Sequence, residues 1–142
     1  MKSLLATAAL FLATLSAPAA DWGTDLPKAI AKAKAENKLV LVDFTGSDWC
    51  GWCIRLKKEV FDTPEFAAYA AKHLVPVEID FPRKKAISPE LKAANKALAD
   101  QYGIEGFPTI IVLDGSGKQV GKLGYLPGGP KPFLAELAKL KK

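Results

Sequence analysis

Between Asp25 and Ala35, Leu26, Ile30 and Ala33 recur at three- and four-residue spacing among lysines and alanines. That period predicts an amphipathic helix, ended by Asn37. Lys38-Leu39-Val40-Leu41-Val42-Asp43-Phe44 follows, an almost unbroken apolar run of strand length. Such a run predicts a central strand covered on both faces, since a strand with one wet face would alternate. Thr45-Gly46-Ser47-Asp48 breaks it, and a second helix is expected to begin near Cys50, with Cys53, Leu56 and Val60 along one side. Thr63-Pro64 and Ser88-Pro89 each place a hydroxyl cap before a proline suited to the first helical position. The helix after the first should face inward with Phe66, Tyr69 and Ala70. The helix after the second should do so with Leu91, Ala94, Leu98 and Tyr102, closed by Gly103 in a left-handed conformation. Leu74 to Asp80 reads as a strand, and Pro76 within it calls for an edge position or the strand's first residues. Thr109 to Leu113 is a β-branched strand, turned by Asp114-Gly115-Ser116-Gly117 into a second strand through Gly121 to Tyr125. A last helix starts near Lys131-Pro132 and buries Phe133, Leu137 and Leu140. Strands that alternate with helices and close with a hairpin and a helix predict an α/β fold, a mixed central β-sheet flanked by helices on both faces.

The N-terminus stands apart from this pattern. Lys2, the apolar run from Leu4 to Ala17 and the small residues through Ala20 read as a secretory signal, with Ala17-Pro18-Ala19 as the cleavage site. The run is short for a bilayer span. Residues 1–20 are therefore expected to be a signal peptide and 21–142 one domain, periplasmic or secreted, monomeric and without stable membrane insertion. No internal repeat or long linker divides that domain. The net charge of +5 would fall by one with the loss of Lys2, and the excess is spread over scattered lysines. Arg83-Lys84-Lys85 is the one compact basic cluster, and without interleaved aromatics it gives no nucleic-acid signal.

The chain holds two cysteines, Cys50 and Cys53, and a domain of this size needs no disulfide to fold. Two residues between cysteines suit zinc, haem attachment or redox chemistry. Structural zinc takes four ligands, and the only histidine, His73, falls on a different predicted helix, where it reads as a surface terminator. Covalent haem needs a histidine directly after the second cysteine, where Ile54 stands. A purely stabilising disulfide would close a tiny loop and remove little unfolded-state entropy. Redox chemistry has a physical reason. Cys50 falls at a helix N-terminus, where unpaired amides and the macrodipole favour thiolate over thiol. Such placement lowers a cysteine pKa from ~8.5 to between about 3.5 and 7.5, a range known partly from proteins with this spacing. Cys53, one turn on, is the expected resolving thiol and the more buried of the two. No metal or other cofactor is expected.

Three segments in order resemble the thioredoxin superfamily, and specifically its exported members. They are Val40-Leu41-Val42-Asp43-Phe44, Asp48-Trp49-Cys50-Gly51-Trp52-Cys53, and Tyr102-Gly103-Ile104-Glu105-Gly106-Phe107-Pro108-Thr109. The resemblance covers nearly the whole chain from about Trp22 and implies a thioredoxin fold. It implies that the Phe107-Pro108 bond is cis and its loop lies against Cys50, with Phe107 presenting backbone groups to an extended client and Gly124 lining the same groove. It also implies that Asp43 is the buried acid that helps move the proton of Cys53. Trp49, Gly51 and Trp52 become candidate client contacts, with Trp49 mainly packing and Trp52 on the rim. This chain departs from the family's pattern in four places. The loop between Asp43 and Cys50 is one residue longer, Pro76 stands where a lysine partner of the acid would, Trp52 replaces a proline, and the first strand is shortened to the neighbourhood of Trp22.

The function expected on this reading is protein thiol-disulfide exchange in the cell envelope. The chain would act as a reductase or isomerase on clients with disulfides or thiols, kept reduced by an upstream thiol donor. A general oxidase would use the same thiols at a potential near −120 mV rather than near −270 mV. A non-catalytic peptide-binding module would not need them at all.

Overall fold

The structure, a computed structural model, describes residues 18–140. Most of the leader sequence, and Lys141 and Lys142, therefore lie outside the described residues. The elements follow in the order α1 (Leu26–Glu36), β1 (Leu39–Thr45), α2 (Gly51–Leu56), α3 (Pro64–His73), β2 (Leu74–Asp80), α4 (Pro89–Gln101), β3 (Thr109–Leu113), β4 (Gln119–Leu123) and α5 (Pro130–Leu140). A π-helical turn over Lys57–Phe61 extends α2. Local chemistry sets these ends. Asp25, Thr63 and Ser88 cap α1, α3 and α4 by accepting the backbone N–H of Lys28, Phe66 and Leu91. Asn37 stops α1 in the left-handed region at φ 53°, and Gly103 takes φ 61° just beyond α4.

The sheet runs β2-β1-β3-β4, with β1 parallel to β2 and β3 antiparallel to β1 and β4. Pro76 therefore sits on an edge strand, as its missing N–H requires. Beyond that edge the expected first strand is reduced to one bridge, with Gly23 donating to Pro76 O and accepting from Glu78 N.

Period-two alternation sorts the sheet residues into two cores. Val40, Val42, Phe44, Val75, Val77, Ile79, Ile111 and Leu113 pack with α1 and the inner side of α4. Leu41, Leu74, Ile110 and Val112 pack with α2, its π turn, α3 and α5. Asp43 continues the Leu41 side of β1, which points it toward the helix that carries the cysteines. The π turn buries the consecutive residues Val60 and Phe61 together, which a regular helix would splay about 100° apart.

Three expectations need correction. The inner face of α4 is Asn95, Leu98, Ala99 and Tyr102, while Leu91 and Ala94 face solvent. Asn95 is buried because its side-chain amide donates to Asp80 O at 2.9 Å, a partner that periodicity does not reveal. Strand β4 ends at Leu123, so Gly124 and Tyr125 are loop residues. Tyr69 and Leu140 are only half-buried.

Phe66 is fully buried, stacks on Trp22 and meets the Phe61 ring at a tilt. Phe66→Ala should cost about 3–5 kcal/mol, with urea unfolding as the measurement. A loss under about 1 kcal/mol would contradict this account of the core.

Candidate active site

Strand β1 delivers the chain to a turn at Gly46, where Trp49 N and Cys50 N both donate to Gly46 O. Cys50 is the N-cap of α2, in extended conformation, and its Sγ accepts the N–H of Cys53 at 3.2 Å. The sulfur thus occupies the position that a capping oxygen takes at other helix starts, against a backbone donor with no helical partner. Cys53 Sγ accepts the N–H of Gly46 at 3.5 Å. The two cysteines form a disulfide with Cα atoms 5.2 Å apart. Both are nearly buried, Cys50 at 7% exposure and Cys53 at 4%, so the expected difference in access is present but small.

Behind Cys53 lies a cavity of about 60 Å³ whose lining includes Asp43, Thr45, Ser47, Lys57 and Glu78. It is roomy and polar enough to admit water between Asp43 and the sulfur. Asp43 is 6% exposed, and its Oδ1 has no hydrogen-bond partner. Burial pushes its pKa up to about 8, and the carboxylates of Glu78 and Asp80 push the same way. Glu78 is the direct cross-strand neighbour of Asp43, and burial followed by Asp80 raises its pKa too. The longer loop therefore does not remove Asp43 from Cys53. Pro76, at the position expected of a lysine partner, pairs with Leu41, and the residue opposite Asp43 is a second carboxyl, with Lys57 entering from the π turn of the helix.

The remaining predicted residues gather around the disulfide. The Phe107–Pro108 bond is cis. Phe107 packs edge-on to Trp49 at 5.9 Å and against Phe81 at 5.1 Å, which sets its loop beside the segment leading to Cys50. A Cβ on Gly124 would meet Pro108 O at 4.0 Å, so this residue borders the same loop. Trp49 is half-buried and donates through Nε1 to Phe81 O at 2.7 Å, in keeping with a packing role. Trp52 is 56% exposed, lies 5.0 Å from the Tyr125 ring and has the Arg55 guanidinium above it, and Gly51 is open to solvent. His73 closes α3, away from these groups, against Tyr69. No cluster of metal-ligating side chains occurs among the described residues.

Several neighbours escaped the sequence reading. Asp80 accepts from Ser47 N and Oγ and pairs with Lys85 at 3.0 Å, which pins the turn before the cysteines. Asp48 accepts the backbone N–H of Arg83, Lys84 and Lys85, and those bonds, Arg83's foremost, hold its carboxyl below the usual range. Glu59 accepts from both Arg55 and Tyr125, the two residues that pack on Trp52. Glu78 alone carried a signal in the sequence, since strand alternation puts it on the same side of β2 as Leu74.

A mixed sheet between two helical layers, with a Cys-x-x-Cys disulfide at a helix start and a cis-proline loop beside it, defines a thioredoxin-fold domain with a dithiol site. Residues 26–141 match the family model described as a thioredoxin-like domain, and the chain belongs to that family. It is 36% identical over 110 residues, 78% of its length, to "Disulfide bond reductase DsbH" of Chlamydia pneumoniae. It is 30% identical over 103 residues, 72% of its length, to "Thioredoxin-related protein DsbJ" of the same organism. The chain spans 66% and 30% of the lengths of these two relatives. A solved structure of a DsbH oxidoreductase aligns with a TM-score of 0.82 at 31% identity, covering 99% of this chain and 93% of that one.

A raised acid has a consequence for stability. Folded Asp43 holds its proton up to about pH 8, whereas unfolding returns it to an ordinary value of 3.8. Stability therefore declines as pH rises between these values, by up to about 1.4 kcal/mol per pH unit, and levels off above. Asp43→Asn should become steadily more stable relative to wild type from pH 4 to pH 8, in urea titrations at fixed ionic strength. Parallel curves for the two proteins would rule the buried acid out.

Proposed function

We propose that the chain is a protein thiol-disulfide oxidoreductase of the cell envelope that reduces or isomerises client disulfides. The observation that carries this reading is the Cys50–Cys53 disulfide itself, with Cys50 Sγ as the N-cap of α2 and Cys53 over the Asp43 cavity. The reductase named among the relatives supports the reducing direction. The leader-like N-terminus supports export to the periplasm or beyond. Among the described residues no helix is long and apolar enough to cross a membrane.

In the reduced protein the Cys50 thiolate attacks one sulfur of a client disulfide. The client bond breaks, a Cys50–client mixed disulfide forms, and the first client sulfur leaves as a thiolate. Cys53 then gives its proton to the Asp43 carboxylate and attacks Cys50 Sγ. The second client thiolate is expelled, and the pair ends as the disulfide seen here. Two electrons have passed to the client. An upstream dithiol resets the pair. As Cys53 departs from that reaction as a thiolate, protonated Asp43 returns the proton. A group titrating near 8 serves both directions close to neutral pH. Pro108, Phe107, Gly124 and the exposed Trp52 form the surface on which an extended client segment lies, and Trp49 holds that surface in place. The protein acts as a monomer.

Cys53→Ser should accumulate mixed disulfides with exported proteins, because Cys50 can attack and nothing resolves the adduct. Cys50→Ser should fall to the uncatalysed rate with a model disulfide. Non-reducing gels that show no adduct in the first variant would sink the reading, as would full activity in the second.

A further inference from the structure

The basic cluster set aside in the sequence lies against the active site. Asp48, two residues before Cys50, takes the backbone N–H groups of Arg83, Lys84 and Lys85 at 2.8–2.9 Å, and Trp49 bonds Phe81 O. The segment after β2 is therefore tied at four points to the segment that leads to the reactive sulfur. Asp48 is used up by backbone donors and pairs with none of the cluster's side chains. The Arg83 guanidinium carbon lies over Trp49, 3.6 Å from the ring centre, and Arg83 makes no ion pair among the described residues. Beside it opens a groove of about 300 Å³ with Phe81, Pro82 and Ile87 as apolar lining and Arg83, Lys85 and Lys92 as its cations. Its one carboxylate, Asp80, is engaged by Ser47 and Lys85. Phe81 also packs on Phe107, so the groove shares a wall with the Pro108 loop.

We propose that this groove binds an acidic segment of the client next to its reacting disulfide, with Arg83 and Lys92 as the charges that select it. The inference rests on the proposed function and adds a substrate class to it. A guanidinium held over an indole is already stripped of water on one face. Its in-plane N–H donors stay free for a carboxylate in the two-bond geometry that arginine favours. Apolar lining suits a hydrophobic residue beside that acid. A concave groove joined to the site through Phe81 and Arg83, which touch Phe107 and Trp49, fits a client chain better than a flat anionic surface. Charges of this kind act mainly on encounter and selectivity.

The test uses the full reduced chain with two disulfide peptides, identical except for Asp or Lys three residues from the cysteine. Wild type should show kcat/KM about five- to tenfold higher for the acidic peptide at low salt, through KM, and the preference should collapse at high salt. The ratio, which cancels any uniform loss of activity, should fall below about twofold in the Arg83→Gln/Lys92→Gln double variant and invert in Arg83→Glu/Lys92→Glu. Equal rates for the two peptides in wild type, or a ratio unchanged by the double variant, would overturn the proposal. So would retention on anionic phosphatidylglycerol vesicles, lost in the double variant, with no peptide discrimination; the patch would then face a membrane. Binding of the same peptides with serine for cysteine, followed at the Trp49 indole resonance, separates this inference from the catalytic one. Selective binding without turnover would leave the groove standing while the oxidoreductase reading failed, and turnover without selectivity would do the reverse.

Discussion

The turn from Thr45 to Cys50 joins a strand buried on both faces to a helix that must begin with a reactive sulfur. Its polar groups all need partners near a low-dielectric core. Gly46 accepts from Trp49 and Cys50 and donates to Cys53 Sγ, Ser47 is held by Asp80, and Asp48 holds the backbone of the 83–85 segment. Each bond is worth only about 1 kcal/mol net, but together they tie the first turn of α2 to β1 and to the segment after β2. The sulfur of Cys50 can then serve as a cap because the donor of Cys53 comes to it in a fixed place. A side chain on Gly46 would run into the Trp49 indole, so glycine is the residue that lets this turn close.

Burial of Asp43 works against stability, and the proposed proton transfer to and from Cys53 gives it a use. The carboxyl is taken from water without a hydrogen-bond partner for Oδ1, beside a second carboxyl on the neighbouring strand. The protein answers by keeping the proton, so the group is neutral where an exposed aspartate would be charged. A fold that wanted stability alone would place an apolar residue there, in line with Leu41. Acids with shifted pKa values of this kind cluster at functional sites, which accords with the proposed role. Glu78 opposite Asp43 sharpens the effect, since like charge adds to desolvation instead of opposing it. Lys57 and Lys85 temper Glu78 from the helix side and the loop side.

Local patterns carried the fold a long way. The caps before proline at Thr63 and Ser88, Asn37, Gly103 and the unbroken run of β1 placed α1, α3, α4 and β1, because each acts through atoms within one turn of itself. Errors arose where a residue's partner lies far along the chain. Leu91 and Ala94 have helical spacing but face water, since the buried side of α4 is decided by Asn95 reaching Asp80 O on β2. Similarly, β4 stops at Leu123 because its pairing with β3 ends at Ile110.

The site divides in the same way. Sequence alone determined the cysteine pair, its place at a strand-to-helix junction, and the side of β1 that Asp43 takes, because spacing and periodicity fix direction within a single element. Tertiary structure decided which groups meet there. Parallel register puts Glu78 beside Asp43, the edge position of β2 lets the following segment fold under Asp48, and Arg83 comes to rest on Trp49. Those contacts cross more than thirty residues of chain, and their energies depend on burial and packing that no short stretch of sequence can express.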